Sequence, residues 1–141
     1  MAITEAHAGR SYPPTAPYVV SAAKIAEFAA AIKDLNPAYA GPEPIAPPTF
    51  VVVISSAAWQ AMFDDPDLDL ALRRVVHADQ RFDYRRPLRT GDTVTARLTI
   101  NKVRARGAAD IISSSVEVET VAGELVCTAS ATFLHSHEPA A

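Results

Sequence analysis

The chain has 141 residues, of which 49% are hydrophobic and 21% charged, and its formal net charge is -3. This length suits one globular domain, and the balance of apolar and charged residues excludes an intrinsically disordered chain. The slightly acidic charge and the scattered arginines argue against a nucleic-acid partner. We therefore expect one domain that covers residues 1–141.

Several further classes of protein are excluded by what the sequence lacks. Cys127 is the sole cysteine, so no internal disulfide can form, and no signal peptide precedes the first apolar segment. The longest apolar run, Phe50 to Phe63, is shorter than the roughly 20 residues that span a bilayer. No phosphate loop, dinucleotide glycine motif or paired cysteine motif is present. We expect a cytoplasmic protein with no cofactor, no metal and no membrane partner.

The amino-terminal third predicts an arm followed by a helix. Few apolar residues and three prolines in residues 1–17 predict an extended arm, which leads to a short strand at Tyr18–Val20. Ser21 is a typical helix cap. The next apolar residues recur at the spacing of one helix face, which predicts a helix from Ala22 to Lys33. These residues are Ile25, Phe28, Ala29 and Ile32.

A proline-rich loop separates this helix from a second, more apolar one. Prolines between Pro37 and Pro48 fix the backbone of the loop and remove amide donors. We expect Thr49 to cap the following helix, which is about 14 residues long and apolar on most sides. A helix of this kind needs cover on most sides, as when a sheet wraps around it.

The second half of the chain alternates between apolar and polar residues with a period of two. In "TVTARLTI" the apolar positions are Val94, Ala96, Leu98 and Ile100, and similar alternation recurs in three other segments. Turn sequences at "RTGD", "RARGAAD" and "VAGE" separate these segments. Helices followed by hairpin-linked strands predict an α+β fold with an antiparallel sheet, and residues 136–141 are expected to form a flexible tail.

Three ordered motifs, "DLNPAY", "IAPPTF" and "HADQRFDYRRPLRTGD", resemble the MaoC-like dehydratase family. The similarity runs from about Gly9 to Leu134. It is greater still to the actinobacterial amino-terminal type, which includes one subunit of the mycobacterial (3R)-hydroxyacyl-carrier-protein dehydratase. This resemblance implies a hot-dog fold, in which a curled antiparallel sheet surrounds a central apolar helix. It also implies a dimer or pseudo-dimer of hot dogs, either a homodimer or a heterodimer with a second hot-dog subunit, with the acyl thioester in a tunnel at the interface.

The resemblance further implies reversible addition of water across a trans-2-enoyl thioester of coenzyme A or a carrier protein. In active members an Asp and a His in the pattern D-x-N-P-x-H orient and deprotonate water. A backbone amide at the start of the central helix holds the thioester oxygen. Carried over by position, the catalytic residues are Asp34, Asn36 and Tyr39, and the substrate-binding residues are Pro47, Pro48, Thr49 and Phe50.

Two positions depart from the family pattern, and the loop is also shorter than in relatives of the narrower type. Tyr39 stands where the His is expected, and tyrosine as a residue type is a poor general base at neutral pH. Pro47 and Pro48 stand where active relatives have His-Gly, and Pro48 has no N–H to donate. Thr49 offers the nearest substitute amide. The two losses predict the substrate-binding subunit of a hydro-lyase, paired with a catalytic hot-dog chain.

Three alternatives remain open at this stage. The first is a self-sufficient homodimeric enoyl-CoA hydratase. The second is an acyl-CoA thioesterase, and the third is a non-enzymatic protein that binds acyl thioesters. Asp34 and Asn36 also suit ordinary turn chemistry, without any catalytic role.

Other conspicuous residues have simpler interpretations. His77 is interpreted as a surface histidine. The pair His135 and His137 is interpreted as part of a disordered tail. Cys127 reads as a small core residue. The arginines at positions 85, 86 and 89 are candidates for contact with the phosphates of coenzyme A or with the acidic surface of a carrier protein, and they equally suit solvated strand ends.

Overall fold

The computed structural model describes residues 2–137. Two α-helices and five strands account for most of this range, with three short 3-10 helices between them. The elements are β1 (Tyr18–Val19), α1 (Ala22–Ala31), α2 (Val52–Phe63), β2 (Val75–Tyr84), β3 (Thr93–Arg106), β4 (Ala109–Thr120) and β5 (Leu125–Ser136). The 3-10 helices are Glu5–His7, Pro37–Tyr39 and Leu72–Arg74.

The five strands form one antiparallel sheet in the order β1-β3-β4-β5-β2. Tight turns join β3 to β4 and β4 to β5. Gly107 and Gly123 occupy these turns with φ of 60° and 96°, a backbone conformation that glycine adopts without a Cβ clash. The predicted α+β architecture with hairpin-linked strands is confirmed for β3, β4 and β5.

The sheet curls around α2, which packs on β3 and β4. Register shifts at His77/Asp79 in β2 and at Ile100/Lys102 in β3 mark irregularities of the bulge type. Such irregularities bend a strand and increase its twist. The apolar side of α2 includes Ile54, Ala58 and Met62, each at most 2% exposed. The sheet therefore covers one side of the central helix, whereas Ser56, Ala57 and Gln60 on another side are exposed, so the predicted cover on most sides is only partly present.

The period-two pattern places the predicted residues in the core. In β3 the four apolar positions that the sequence analysis named are all buried. In β5, Cys127, Ala129, Ala131 and Phe133 are buried as well. Burial raises the pKa of the Cys127 thiol to about 11, so it is protonated at neutral pH. Its role as a small core residue is confirmed.

Helix α1 begins as predicted and ends two residues early. The Ser21 side chain accepts the amide of Lys24 at 3.1 Å, which confirms the cap. Lys33 adopts a positive φ of 58°, so the helix cannot continue through it. The Phe28 ring packs edge to face against Phe50, with centroids 5.4 Å apart. This contact fixes α1 against the start of α2.

The predicted cap at Thr49 is wrong. Helix α2 has Val51 at its cap position, and no side chain caps it. The amides of Phe50, Val52 and Val53 donate to carbonyls three residues earlier, at 2.9 to 3.1 Å. Because these tight 3-10-type bonds satisfy the first turn, the helix begins without the Thr49 hydroxyl.

The amino-terminal segment runs beside β3. The amides of Gly9, Tyr12 and Thr15 donate to carbonyls of this strand at 2.7 to 3.0 Å. The Tyr12 hydroxyl donates to Asp65, just beyond α2, at 2.7 Å. Ile3 is 4% exposed and belongs to the core. The segment therefore joins the strand side of the molecule to the end of the central helix.

The interpretation of His135 and His137 as part of a disordered tail is wrong. His135 lies in β5 and is 5% exposed, and its Nε2 accepts the amide of Ala71 at 3.1 Å. The His137 amide donates to the Ala108 carbonyl at 2.8 Å, and its Nε2 lies 3.1 Å from Asp110 Oδ2. Pairing with β4 extends β5 beyond the predicted limit. Residues 138–141 of the predicted tail lie outside the described range.

Candidate functional site

The loop between α1 and α2 carries all the residues that the sequence analysis placed in a site. Two side chains shape its first half. Asp34 Oδ1 accepts the amide of Asn36 at 3.1 Å, and Asn36 Oδ1 accepts the amide of Ala38 at 2.9 Å. Each is an Asx turn, in which a short polar side chain bonds the backbone two residues on. In this structure both side chains hold the turn that starts the 3-10 helix Pro37–Tyr39.

Tyr39 is the last residue of this short helix and is buried, with 9% of its surface exposed. Its hydroxyl makes no hydrogen bond to any residue between 2 and 137. The loop then doubles back, because the Ile45 amide donates to the Ala38 carbonyl at 3.0 Å. The Ala46 amide donates to the Leu88 carbonyl at 2.8 Å, which attaches the loop to the segment after β2.

A cleft of about 400 Å³ lies between this loop and the end of β2. Small-molecule sites usually fall between roughly 300 and 1,000 Å³. Its walls are mainly apolar or aromatic, and the described part of the chain contributes no imidazole, thiol or carboxylate to its lining. The lining residues are Tyr39, Ile45, Ala46, Pro48, Tyr84, Arg85, Arg86 and Pro87.

The cleft brings together only part of the predicted site. Tyr39 and Pro48 line it, from opposite halves of the loop. Phe50 is fully buried against α1, whereas Thr49 is exposed at the start of the turn into α2. The predicted residues that do not line the cleft are Asp34, Asn36, Pro47, Thr49 and Phe50.

Tyr84 belongs to this cleft, and the sequence analysis did not assign it to the site. Its hydroxyl donates to the Pro48 carbonyl, which connects the end of β2 to the entrance of α2. Burial, and to a lesser degree the neighbouring Cys127, raises the pKa of Tyr84 above its ordinary value. The phenol is therefore a donor at neutral pH. The alternation Phe82, Tyr84 was the available signal, because it places both rings on one face of β2.

Arg86 forms a network that fixes the cleft wall. Its guanidinium donates to both Asp92 oxygens at 2.8 and 3.0 Å and to both Glu124 oxygens at 3.0 and 3.2 Å. A fifth bond reaches the Pro87 carbonyl at 2.9 Å. Hydrogen bonds to Asp92 and then to Glu124 raise the pKa of Arg86 above its ordinary value. The network joins the end of β2, the start of β3 and the turn between β4 and β5.

Arg85 differs from its neighbour. Its backbone amide donates to the Val126 carbonyl at 2.8 Å, so the residue is held at the end of the sheet. Its side chain is exposed and makes no hydrogen bond or ion pair within residues 2–137. It is the cleft's one charged group without a counter-charge in that range.

The remaining candidates lie elsewhere. His77 is exposed on β2, where its ring contacts Trp59 and its Nε2 lies 3.0 Å from Gln80 Oε1. Within residues 2–137, no three His, Cys, Asp or Glu side chains are placed to hold a metal ion. No helix in the same range is long and apolar enough to cross a membrane.

Comparison with known proteins places these features in a family. Residues 6–129 match the model of the FAS1-like dehydratase domain region. A UPF0336 protein of Cutibacterium acnes is 51% identical over 136 residues, which cover 96% of each chain.

Two solved structures share the fold. A chain of the HadBC (3R-hydroxyacyl-ACP dehydratase) complex from Mycobacterium tuberculosis superposes with a TM-score of 0.80 and is 28% identical. This match covers 91% of the present chain and 96% of the other. A MaoC-like dehydratase superposes with a TM-score of 0.83 at 24% identity, over 94% of the present chain and 43% of the other. The curled sheet around α2 is thus a hot-dog fold of the MaoC-like dehydratase kind, and the chain belongs to the family of the FAS1-like dehydratase domain region.

Proposed function

We propose that this chain is the substrate-binding subunit of a (3R)-hydroxyacyl thioester dehydratase, or R-specific enoyl-CoA hydratase, and that a second hot-dog chain supplies the catalytic groups. The observation that carries the proposal is the composition of the cleft. A site of suitable size is present, but among residues 2–137 no side chain that lines it is an imidazole, a thiol or a carboxylate.

Hydration of an enoyl thioester needs a base that deprotonates water and a donor for the thioester oxygen as it becomes enolate-like. In the cleft, the family's histidine position is Tyr39, and the position of its amide donor is Pro48, which has no N–H. Loss of a positioned acid or base costs about 10²–10⁴ in rate. Loss of one donor to an oxyanion costs about 10²–10³. The chain retains a binding surface without either group.

The position of Asp34 supports the same proposal. Its carboxylate accepts the Asn36 amide and does not line the cleft. An active site of this family needs that carboxylate beside an imidazole, and this loop provides none. The Thr49 amide makes no hydrogen bond within residues 2–137, but Thr49 does not line the cleft, so this amide does not replace the donor missing at Pro48.

An open sheet edge supports a protein partner. Among the described strands, β2 pairs only with β5, so about half of its ten residues present unpaired backbone groups on its other edge, since alternate residues point to opposite edges. Val76 is 58% exposed on this strand, and the three residues after it are exposed as well. An unpaired edge of this length is a surface on which another strand can pair. The matched mycobacterial chain comes from a two-chain complex.

The experiment combines the purified chain with a hot-dog chain from the same genome that carries an intact D-x-N-P-x-H motif and the His-Gly pair. We expect a heterodimer by light scattering. We also expect crotonyl-CoA hydration at least about 10²-fold faster than with this chain alone, because the partner restores the missing base. Replacing the partner's motif histidine by asparagine is the control, and it should return the rate to that of this chain alone.

Two outcomes would contradict the proposal. If the isolated chain hydrates crotonyl-CoA as fast as the mixture and Asp34→Asn abolishes that activity, the chain is a complete hydratase. If the isolated chain instead releases free thiol from butyryl-CoA, it is a thioesterase.

A further inference from the structure

Three arginines follow β2 within five residues, and the structure places them in different electrostatic environments. Arg86 is engaged by two carboxylates and one carbonyl, which together accept five hydrogen bonds from its guanidinium. The side chains of Arg85 and Arg89 are exposed, and neither makes a hydrogen bond or ion pair within residues 2–137. Of the three, only these two guanidinium groups therefore keep all their N–H donors available to an anion.

The surroundings distinguish the two free arginines. Arg85 lines the 400 Å³ cleft, whose lining contains no carboxylate. Arg89 lines an adjoining cleft of about 220 Å³ together with Glu43, and its charge interacts with those of Asp92 and Glu124, which partly offset it. Ile45 lines both clefts, so the two are neighbours. The positive charge of Arg85 is therefore the less compensated of the two.

The cleft combines apolar walls with one free cation at its exposed rim. Ile45, Ala46 and Pro87 provide apolar surface, while Tyr39 and Tyr84 add aromatic surface. Such a site suits an elongated ligand with a neutral arm and an anionic end. A guanidinium binds phosphate through charge-assisted hydrogen bonds, which are shorter and stronger than neutral ones.

We propose that Arg85 is a binding residue for the phosphate of a phosphopantetheine thioester, and that Arg86 supports the cleft wall without contacting the ligand. This inference rests on the proposed function, because the thioester is the ligand of the same cleft. The proposed function is thereby extended in two respects, since the recognised group is the phosphate of the phosphopantetheine arm and the residue that recognises it is Arg85. Arg89 lies in the adjoining cleft beside Glu43 and makes a smaller contribution.

The test measures binding of three ligands to the full-length chain by calorimetry. Butyryl-pantetheine lacks the phosphate, butyryl-phosphopantetheine has it, and butyryl-CoA adds the nucleotide. We expect Arg85→Gln to weaken binding of the two phosphorylated ligands about tenfold, since a charge-assisted bond at a solvent-exposed rim is lost. Binding of butyryl-pantetheine should change less than about twofold, and Arg89→Gln should have a smaller effect than Arg85→Gln.

Arg104→Gln is the matched control. Arg104 is an exposed arginine near the far end of β3, and like Arg85 it has no partner within residues 2–137. The substitution removes the same charge away from the cleft, so all three affinities should remain within about twofold. Raising the salt concentration should weaken binding of butyryl-phosphopantetheine to the unmodified chain more than to the Arg85→Gln variant.

The outcomes separate the inference from the proposed function. Equal weakening of all three ligands by Arg85→Gln, no weakening, or equal effects of Arg85→Gln and Arg104→Gln would overturn the inference alone. An effect on butyryl-CoA without one on butyryl-phosphopantetheine would also overturn it, since Arg85 would then contact the nucleotide. If the unmodified chain binds none of the three ligands, the proposed function fails and the inference fails with it.

Discussion

The two ends of β2 carry opposite kinds of chemistry. At the Tyr84 end lies the cleft, whose lining is apolar or aromatic apart from two arginines. At the Val75 end lies a second cleft of about 250 Å³, lined by titratable side chains that include Arg74, Asp110 and His135. A ten-residue strand spans roughly 30 Å, so the two clefts are far apart.

The comparison of the two clefts shows where the imidazoles and carboxylates lie. Some line the second cleft, and among residues 2–137 none lines the cleft at the Tyr84 end. His135 and His137 both line the second cleft, on the carboxy-terminal end of β5. Antiparallel pairing places that end beside Val75 and places Cys127 beside Tyr84. The candidate site therefore lacks a histidine because of the sheet register as well as the tyrosine at position 39.

The first and largest expected effect concerns the ion pairs at the Tyr84 end. Arg86→Gln should lower the free energy of unfolding by about 2 kcal/mol, because the largely buried Asp92 loses its guanidinium partner and keeps only the Arg89 amide as a hydrogen-bond donor. The measurement is urea denaturation at neutral pH. Arg85→Gln is the control, and it should stay within about 0.5 kcal/mol because that side chain has no partner within residues 2–137. Equal losses of unfolding free energy in the two variants would contradict the assignment of Arg86 as the structural arginine and Arg85 as the unpaired one.

The second expected effect concerns pH at the Val75 end. Burial first, and then the nearby Arg74, lower the pKa of His135 below its ordinary value of 6.5. The other charged or titratable groups that influence it are Asp69, Asp110 and His137. As the pH falls, the unfolded chain takes up a proton on His135 before the folded chain does. The contribution of neutral His135 to the free energy of unfolding is therefore complete above pH 6.5 and is lost as the pH drops below it.

His135→Gln should reduce this loss, because glutamine has no proton to gain but keeps an acceptor for the Ala71 amide. The difference between the slopes cannot exceed one proton, or about 1.4 kcal/mol per pH unit. Denaturation midpoints between about pH 7 and pH 5 give the slope. A His135→Gln variant that loses stability as steeply as the unmodified chain would show that His135 is not the responsible group.

The smallest expected effect separates the two tyrosines of the cleft. Tyr84→Phe should cost about 1 kcal/mol, since the hydroxyl bond to the Pro48 carbonyl is lost. Tyr39→Phe should change stability by less than about 0.5 kcal/mol, because that hydroxyl has no hydrogen bond within residues 2–137. Thermal denaturation of both variants measures the difference. A larger loss from Tyr39→Phe than from Tyr84→Phe would reverse the roles assigned to the two phenols.

Local patterns in the sequence were sufficient to predict most of the fold. Alternation in β3 identified its buried face, the spacing of Ile25 and Phe28 identified α1, and Ser21 identified its first turn. These signals are local, because side-chain direction repeats every 2 residues in a strand and every 3.6 in a helix. The predicted Thr49 cap failed for a related reason. Tight backbone bonds satisfied the first turn of α2, and residue type alone does not reveal them.

The sequence by itself determined the curled sheet around an apolar helix and the loop that holds Tyr39 and Pro48. Only the tertiary structure decided which charged or titratable side chains contact one another. Arg86 and Glu124 are 38 residues apart and Asp110 and His137 are 27 apart, so both contacts depend on sheet register and turn geometry. Sequence periodicity indicates which face a residue takes, but not its neighbour on another strand. The tertiary structure therefore showed that Arg85 has no counter-charge among the residues from 2 to 137 and that the histidines lie away from the cleft.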